Sequence, residues 1–290
     1  MLAAVRMTVS LLKLRIGVAI AASSFAGMAA ASGPALSWWR SVGLALAVLG
    51  ASGAAGAFNH YYERDLDRLM SRTRSRPFAS GMFRASPWWL IGFLALLVAS
   101  LTLAAATGGT VASIFVFFGA FTYGVVYTVW LKRRSAWNIV IGGLAGSFAV
   151  LAGAAAVNPM PQVVPTLLAI VLFLWTPPHF WSLAAAKDQD YGNAGVPMLP
   201  IVVPAHAWTL AILTHTVVLV SLSLLPLWFG MGPFYGLGAG IGGAIFLQKS
   251  VALYRTPTKK AAMANFLASL VQLTLLIVGV LLDGAIGFRS

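Results

Sequence analysis

Asn59, Glu63 and Asp67 stand four residues apart in the segment NHYYERDLDRLMSRTRSR, residues 59–76. On a helix that spacing puts one amide and two carboxylates on a single face, with a drift of roughly 40° per step. Oxygen donors gathered in this way suit a hard divalent cation such as Mg²⁺. Arg64, Arg68, Arg72, Arg74 and Arg76 crowd the same segment, and guanidinium groups match phosphate oxygens in pairs. The pattern therefore points to a metal ion carrying a phosphate group. A solvated helix end whose acids pair with nearby arginines is the plainer alternative. Asp65 points about 200° round the helix from Glu63 and reads as a salt-bridge partner rather than a ligand.

A second group lies in TPPHFWSLAAAKDQDYGNAGVPMLP, residues 176–200. Pro177 and Pro178 remove two backbone donors and are predicted to kink or break the helix there. His179 follows them inside an apolar stretch, where an imidazole is rare enough to suggest function. Lys187 and Asp190 are i, i+3 neighbours able to face one cavity, with Asp188 beside them. A structural Lys–Asp pair and a histidine bonded within the bundle remain open. Asp190 to Asn193, followed by Pro197 and Pro200, predicts an ordered loop carrying Tyr191. A third group, Lys132, Arg133 and Arg134, is either a topology signal or an anion clamp. Aromatic residues around these segments, Tyr123 and Tyr127 among them, form an interfacial belt or line a tunnel able to stabilise a carbocation.

The elements that must position these residues are membrane helices. Hydrophobic residues make up 60% of the 290 and charged residues only 9%, against about 25% charged in a soluble domain. Nine apolar runs are predicted to span a bilayer, at roughly 16–32, 42–59, 88–107, 111–130, 138–157, 165–186, 207–229, 233–253 and 264–285. The first follows Arg6, Lys13 and Arg15 and superficially resembles a signal peptide, but eight later spans favour a first transmembrane helix. Alternate breaks are basic: 17 of the 19 cations fall on one side, leaving Arg40 and Arg289 on the other. That asymmetry predicts a cytoplasmic N-terminus, an external C-terminus and an odd number of spans. Five of the six acids lie at the ends of spans two and six, a weak hint of an internal repeat. A net charge of +13 distributed this way speaks for the membrane and against nucleic acid, and the absence of cysteine excludes disulfides and thiolate ligands.

With MSRTRSRP (70–77) after the NxxxExxxD spacing, and with LKRRSAWNIVIGGLAG (131–146), TPPHFWSLA (176–184) and DYGNAGVPMLP (190–200), the chain resembles the UbiA superfamily of intramembrane prenyltransferases. The resemblance is sharpest to its haem-farnesylating branch, the haem O synthases, and covers most of the chain, including the nine-helix layout. Leu14 stands where members often carry proline, and VWLKRR lacks the proline common before that motif. The resemblance implies one all-α domain over residues 1–290. It implies transfer of a farnesyl group from farnesyl diphosphate to a vinyl group of haem B, with water addition, giving haem O and diphosphate. By that likeness Asn59, Glu63 and Asp67 hold Mg²⁺, and Asp190 with Asp188 completes a second metal site. Arg72, Arg76, Lys132, Arg133 and Lys187 become diphosphate contacts, Tyr123 and Tyr191 substrate contacts, and His179 a contact to haem or to water. It further implies an integral protein of the inner membrane, surrounded by lipid and with its active site on the cytoplasmic side. Haem A synthase or terminal-oxidase assembly factors would be its partners. A related prenyltransferase with an aromatic or quinone acceptor, and a non-catalytic haem carrier, are the competing readings.

Overall fold

A chain this apolar cannot leave backbone N–H and C=O groups unpaired in lipid, so it coils every spanning segment into helix. The computed structural model describes residues 2–287, with side chains from residue 7 onward; the side chains of Arg6 and Arg289, both used in the charge count, lie outside the described residues. Among the described residues all regular structure is helical. In order these are α1 (Leu2–Leu11), α2 (Leu14–Ala30), α3 (Trp38–Tyr62), α4 (Arg64–Asp67), α5 (Pro87–Gly108) and α6 (Thr110–Phe121). A π-helical stretch, Thr122–Leu131, continues α6. Then come α7 (Asn138–Gly142), α8 (Leu144–Val157), α9 (Val163–Ala186), α10 (Asp188–Asn193), α11 (Leu199–Val202), α12 (Ala205–Leu224), α13 (Pro233–Arg255) and α14 (Lys259–Ala285).

Eight helical segments are long and apolar enough to cross a membrane, and α2 is a shorter apolar helix of 17 residues. Each coincides, within a few residues, with one of the nine apolar runs. Pro177 and Pro178 do not break their span: α9 runs unbroken from Val163 to Ala186. The two prolines withhold N–H donors only from the carbonyls of Phe173 and Leu174, four residues back, and the rest of the helix ladder carries the span through.

Small residues bring the helices close. Gly27 on α2 lies directly against the Val150 carbonyl on α8, and Gly153 on α8 lies against the Ser24 carbonyl on α2. α13 and α14 repeat the device: Gly238 faces the Leu275 carbonyl and Gly279 faces that of Phe234. A methyl group at any of these positions would collide with backbone, which is how glycine and alanine drive helix association in lipid. Of the apolar clusters, one fills the space among α2, α3, α5, α6 and α8, a second that among α2, α8, α9, α12, α13 and α14, and a third lies under the α10 loop. Polar groups concentrate where α3, the π stretch and α9 end.

Candidate active site

α3 stops at Tyr62, but its hydrogen-bond path barely breaks. Glu63 N–H still bonds Asn59 O at 2.9 Å, and Asp67 N–H bonds Glu63 O at 2.8 Å through α4. Asn59, Glu63 and Asp67 therefore share an inward face, and all are buried, at 1%, 3% and 1% exposure. Each meets a cation from a different part of the chain. Lys13 Nζ donates to Asn59 Oδ1 at 2.6 Å and to Tyr123 Oη at 2.6 Å. Lys132 Nζ donates to Glu63 Oε2 at 2.5 Å. Arg76 Nη1 lies 2.9 and 2.8 Å from the two Asp67 oxygens. Three basic side chains thus face two carboxylates and one amide.

The π-helical stretch forms one wall. Its wider turn is seen in the bond from Lys132 N–H to Tyr127 O at 2.9 Å, five residues back. It stacks Tyr123 on Tyr127, with centroids 5.8 Å apart and planes 14° apart. Thr128 Oγ1 donates to Tyr123 O at 2.7 Å and accepts from Asn59 Nδ2 at 3.1 Å, which fixes the amide so that Oδ1 faces Lys13. The Lys13 and Lys132 ammonium groups sit 5.2 and 5.7 Å from the Tyr123 and Tyr127 ring centres. Glu63 Oε1, Asn138 Oδ1 and both ring nitrogens of His60 are buried here without a protein partner among the described residues. Buried polar atoms are ordinarily paired, so these are free to bond a bound molecule or water.

Some residues singled out by sequence lie at the edge. Arg72 is exposed, within electrostatic reach of Tyr127 and Asp190, and Arg133 is exposed beyond Lys132. Lys187 is exposed at the end of α9. Asp190 accepts from Ser71 N–H at 3.1 Å and from Ser71 Oγ at 2.8 Å, tying the second acidic segment to the loop of the first. Asp188 pairs with Lys259 at 2.6 Å. These bonds hold both carboxyls below the ordinary aspartate value, Asp188 through Lys259 and Asp190 through Ser71. Tyr191 is buried in the apolar cluster under this loop. Asp65 pairs with Arg68 at 3.4 Å and Arg64 at 3.9 Å, as its helical phase implies.

His179 lies in α9 between the rings of Trp175 and Phe266, at 4.1 and 4.4 Å. Its Nδ1 is 2.7 Å from Ser269 Oγ, and that hydroxyl gives its own proton to Phe266 O at 2.6 Å. The network therefore assigns the proton to Nδ1 and leaves a lone pair on Nε2.

Lys13 is the residue that sequence reasoning placed elsewhere, as a topology cation. Its backbone is left-handed, φ 49° and ψ 41°, the one positive φ outside glycine among the described residues. Gly56 lies against its side-chain stem, where a Cβ would come within 3.3 Å of Cδ. Burial and the charge of Arg76 lower its pKa well below the ordinary lysine value, while Glu63 and Asp67 pull it back up. The readable signal is Gly53 and Gly56, about two turns and one turn before Asn59, which admit Leu12 and Lys13 closely.

An all-helical membrane bundle with oxygen donors, cations and aromatic rings gathered at one end defines an intramembrane enzyme of the prenyl-transferring kind. Residues 20–275 match the profile of the UbiA prenyltransferase family, and the chain belongs to that family. It is 56% identical over 284 residues to protoheme IX farnesyltransferase 2 of Paramagnetospirillum magneticum, covering 98% of each chain. It is 45% identical to protoheme IX farnesyltransferase 1 of the same organism, covering 96% of this chain and 98% of that one. The fold is similar to that of a UbiA homolog from Archaeoglobus fulgidus bound to GPP and Mg²⁺ (TM-score 0.67, 14% identity, covering 94% and 99%). A structure from work on digeranylgeranylglyceryl phosphate synthase superposes with a TM-score of 0.79 at 17% identity, covering 97% and 98%.

Proposed function

We propose that this chain transfers a farnesyl group from farnesyl diphosphate to a vinyl group of haem B (protohaem IX), with addition of water, giving haem O and diphosphate. The observation that carries the reading is the 56% identity, over 98% of both chains, to a protein named protoheme IX farnesyltransferase 2. The cleft supplies groups suited to that chemistry.

Asn59, Glu63 and Asp67 are the proposed Mg²⁺ ligands. The donor set fits a hard cation: oxygen atoms on one buried face, with Glu63 Oε1 committed to no other partner. When bound, Mg²⁺ would neutralise charge on the leaving diphosphate. Arg76 and Lys132 are the inner diphosphate contacts, with Arg72, Arg133 and Lys187 at the rim. Asp190 and Asp188 complete a second ion site once released from Ser71 and Lys259. The allylic C–O bond breaks with its electron pair leaving on the diphosphate oxygen, and these cations stabilise that charge. Tyr123 and Tyr127 offer π faces to the farnesyl cation, and Tyr191 braces the loop beneath. The vinyl π pair then forms the new C–C bond, and the cation left beside the porphyrin takes up water and loses a proton. His179, with its Nε2 lone pair, is the proposed contact to haem or to that water.

The basic breaks orient the bundle with nine spans, the N-terminus and the active site on the cytoplasmic side of the inner membrane, in one domain spanning the chain. Haem A synthase or a terminal-oxidase assembly factor is the natural recipient of a product this apolar. The test is incubation of membranes bearing the protein with haem B, farnesyl diphosphate and Mg²⁺, followed by haem extraction and mass analysis. A haem heavier by one farnesyl group and one hydroxyl is expected; unmodified haem throughout would remove the reading.

A further inference from the structure

Lys13 is absent from the acidic motifs, yet it touches two residues of the cleft. Its Nζ bonds Asn59 Oδ1 and Tyr123 Oη, both at 2.6 Å. Three features show that the chain is built to deliver it. The backbone adopts a left-handed conformation at this one non-glycine position among the described residues. Gly56 leaves room for the stem. Thr128 holds the Asn59 amide so that its oxygen points at Nζ.

That oxygen is also one of the proposed metal ligands, so two cations have a claim on one atom. A divalent ion about 2.1 Å from Oδ1 would lie within roughly 5 Å of an amine 2.6 Å from the same oxygen. At that separation the two repel by an amount equivalent to about tenfold or more in affinity. The neighbouring pairs, Lys132 on Glu63 and Arg76 on Asp67, repeat the arrangement, so each proposed ligand carries a protein cation. Lys13 differs in having a neutral oxygen and a tyrosine hydroxyl as partners, and so is the easiest of the three to displace.

We propose that Lys13 is a substrate-positioning cation that holds Asn59 through its amide oxygen and passes to the diphosphate when a metal takes that oxygen. This rests on the metal–diphosphate reading above. Tyr123 Oη is the fixed point about which Nζ moves, since the hydroxyl can retain the amine while Asn59 releases it. The metal alone then binds against Lys13, and the metal with a diphosphate binds with its help.

The test measures Mn²⁺ binding to the detergent-solubilised full chain by electron paramagnetic resonance, with and without inorganic pyrophosphate. Lys13→Met is expected to bind Mn²⁺ alone about tenfold more tightly than the wild type. With pyrophosphate the order reverses, and the variant binds the pair more weakly by a similar factor. Lys13→Gln, which keeps a hydrogen-bonding group for Tyr123 without the charge, is expected to do the same and serves if the methionine variant does not fold. Unchanged or weaker Mn²⁺ binding in both variants without pyrophosphate overturns the proposal for Lys13. Wild-type protein that binds no Mn²⁺ even with pyrophosphate overturns the metal reading and this proposal together. Weakened Mn²⁺ binding in Asp67→Asn alone would leave the metal reading standing and Lys13 outside it.

Discussion

Glu63 and Asp67 are ion-paired and almost fully buried, and a purely structural role would also account for that. The two roles separate under isosteric substitution. Glu63→Gln and Asp67→Asn keep an oxygen able to accept from Lys132 and Arg76, but each removes a charge that a metal–diphosphate complex needs. Both variants are expected to lose the farnesylated product by at least about 10²-fold, as when a group stabilising transition-state charge is removed. Their cost in stability should be the smaller effect, since the hydrogen bonds persist. Product formation from extracted haem, set beside thermal unfolding in detergent, checks this. A large loss of folding with normal turnover per folded molecule would make the pairs structural. The same scale explains why Lys13 was hard to see. It lies 46 residues from Asn59 and 110 from Tyr123, and no periodicity connects positions so far apart. Glu63 and Asp67, by contrast, share one helical face, and their spacing alone joined them.

Helices were legible because hydropathy reports lipid contact directly, and the ends of the apolar runs fall close to the observed ends. What hydropathy does not report is how a helix end is finished. The π stretch at Thr122–Leu131 and the interruption of α7 and α8 at Gly143 left no trace in the apolar pattern. The sixth acid, Asp283, gave no clue to its role either. It is buried near the end of α14 and accepts from Phe234 N–H at 3.1 Å and Tyr235 N–H at 2.9 Å, the first free donors of α13. Gly232 stands at the N-cap with no side chain to offer, and a Cβ there would collide with the Asp283 carboxylate. A carboxylate from the neighbouring helix thus caps α13. Asp283→Ala should cost about 1–3 kcal/mol through two buried donors left unpaired, and Asp283→Asn less; thermal unfolding in detergent measures both. The second acidic segment gives a prediction of opposite sensitivity. Asp188 and Asp190 tie α10 to Lys259 and Ser71 from below-normal pKa values. A lowered carboxyl pKa contributes stability above the unfolded value, near 3.9, and loses it as the pH falls through the folded one. Proteolysis of the loops around Ser71 and α10 should therefore be insensitive to pH between about 6 and 8 and accelerate only below about 4. Asp190→Ala should accelerate it at neutral pH.

Across the whole molecule, charge and apolar surface are sorted along one axis. The cleft, the Asp190–Ser71 tie and the Asp188–Lys259 pair all gather where α3, α9 and the π stretch end, while Asp283 sits alone at the other end of the bundle. The positive-inside rule puts that end in the cytoplasm: of the cations with described side chains, 16 cluster there and Arg40 lies at the other end. The orientation also has a chemical consequence, because a charged diphosphate reaches a cleft at a bundle end from the water on that side. Because the chain contains no cysteine, single cysteines report sidedness without background. Ser75, in the arginine-rich loop, and Ser37, before α3, are both exposed and lie at opposite ends of the first long span. In intact cells a membrane-impermeant maleimide should label Ser37→Cys and leave Ser75→Cys unmodified, and permeabilisation should render both reactive. Labelling of Ser75→Cys in intact cells would invert the bundle and place the cleft on the outer side.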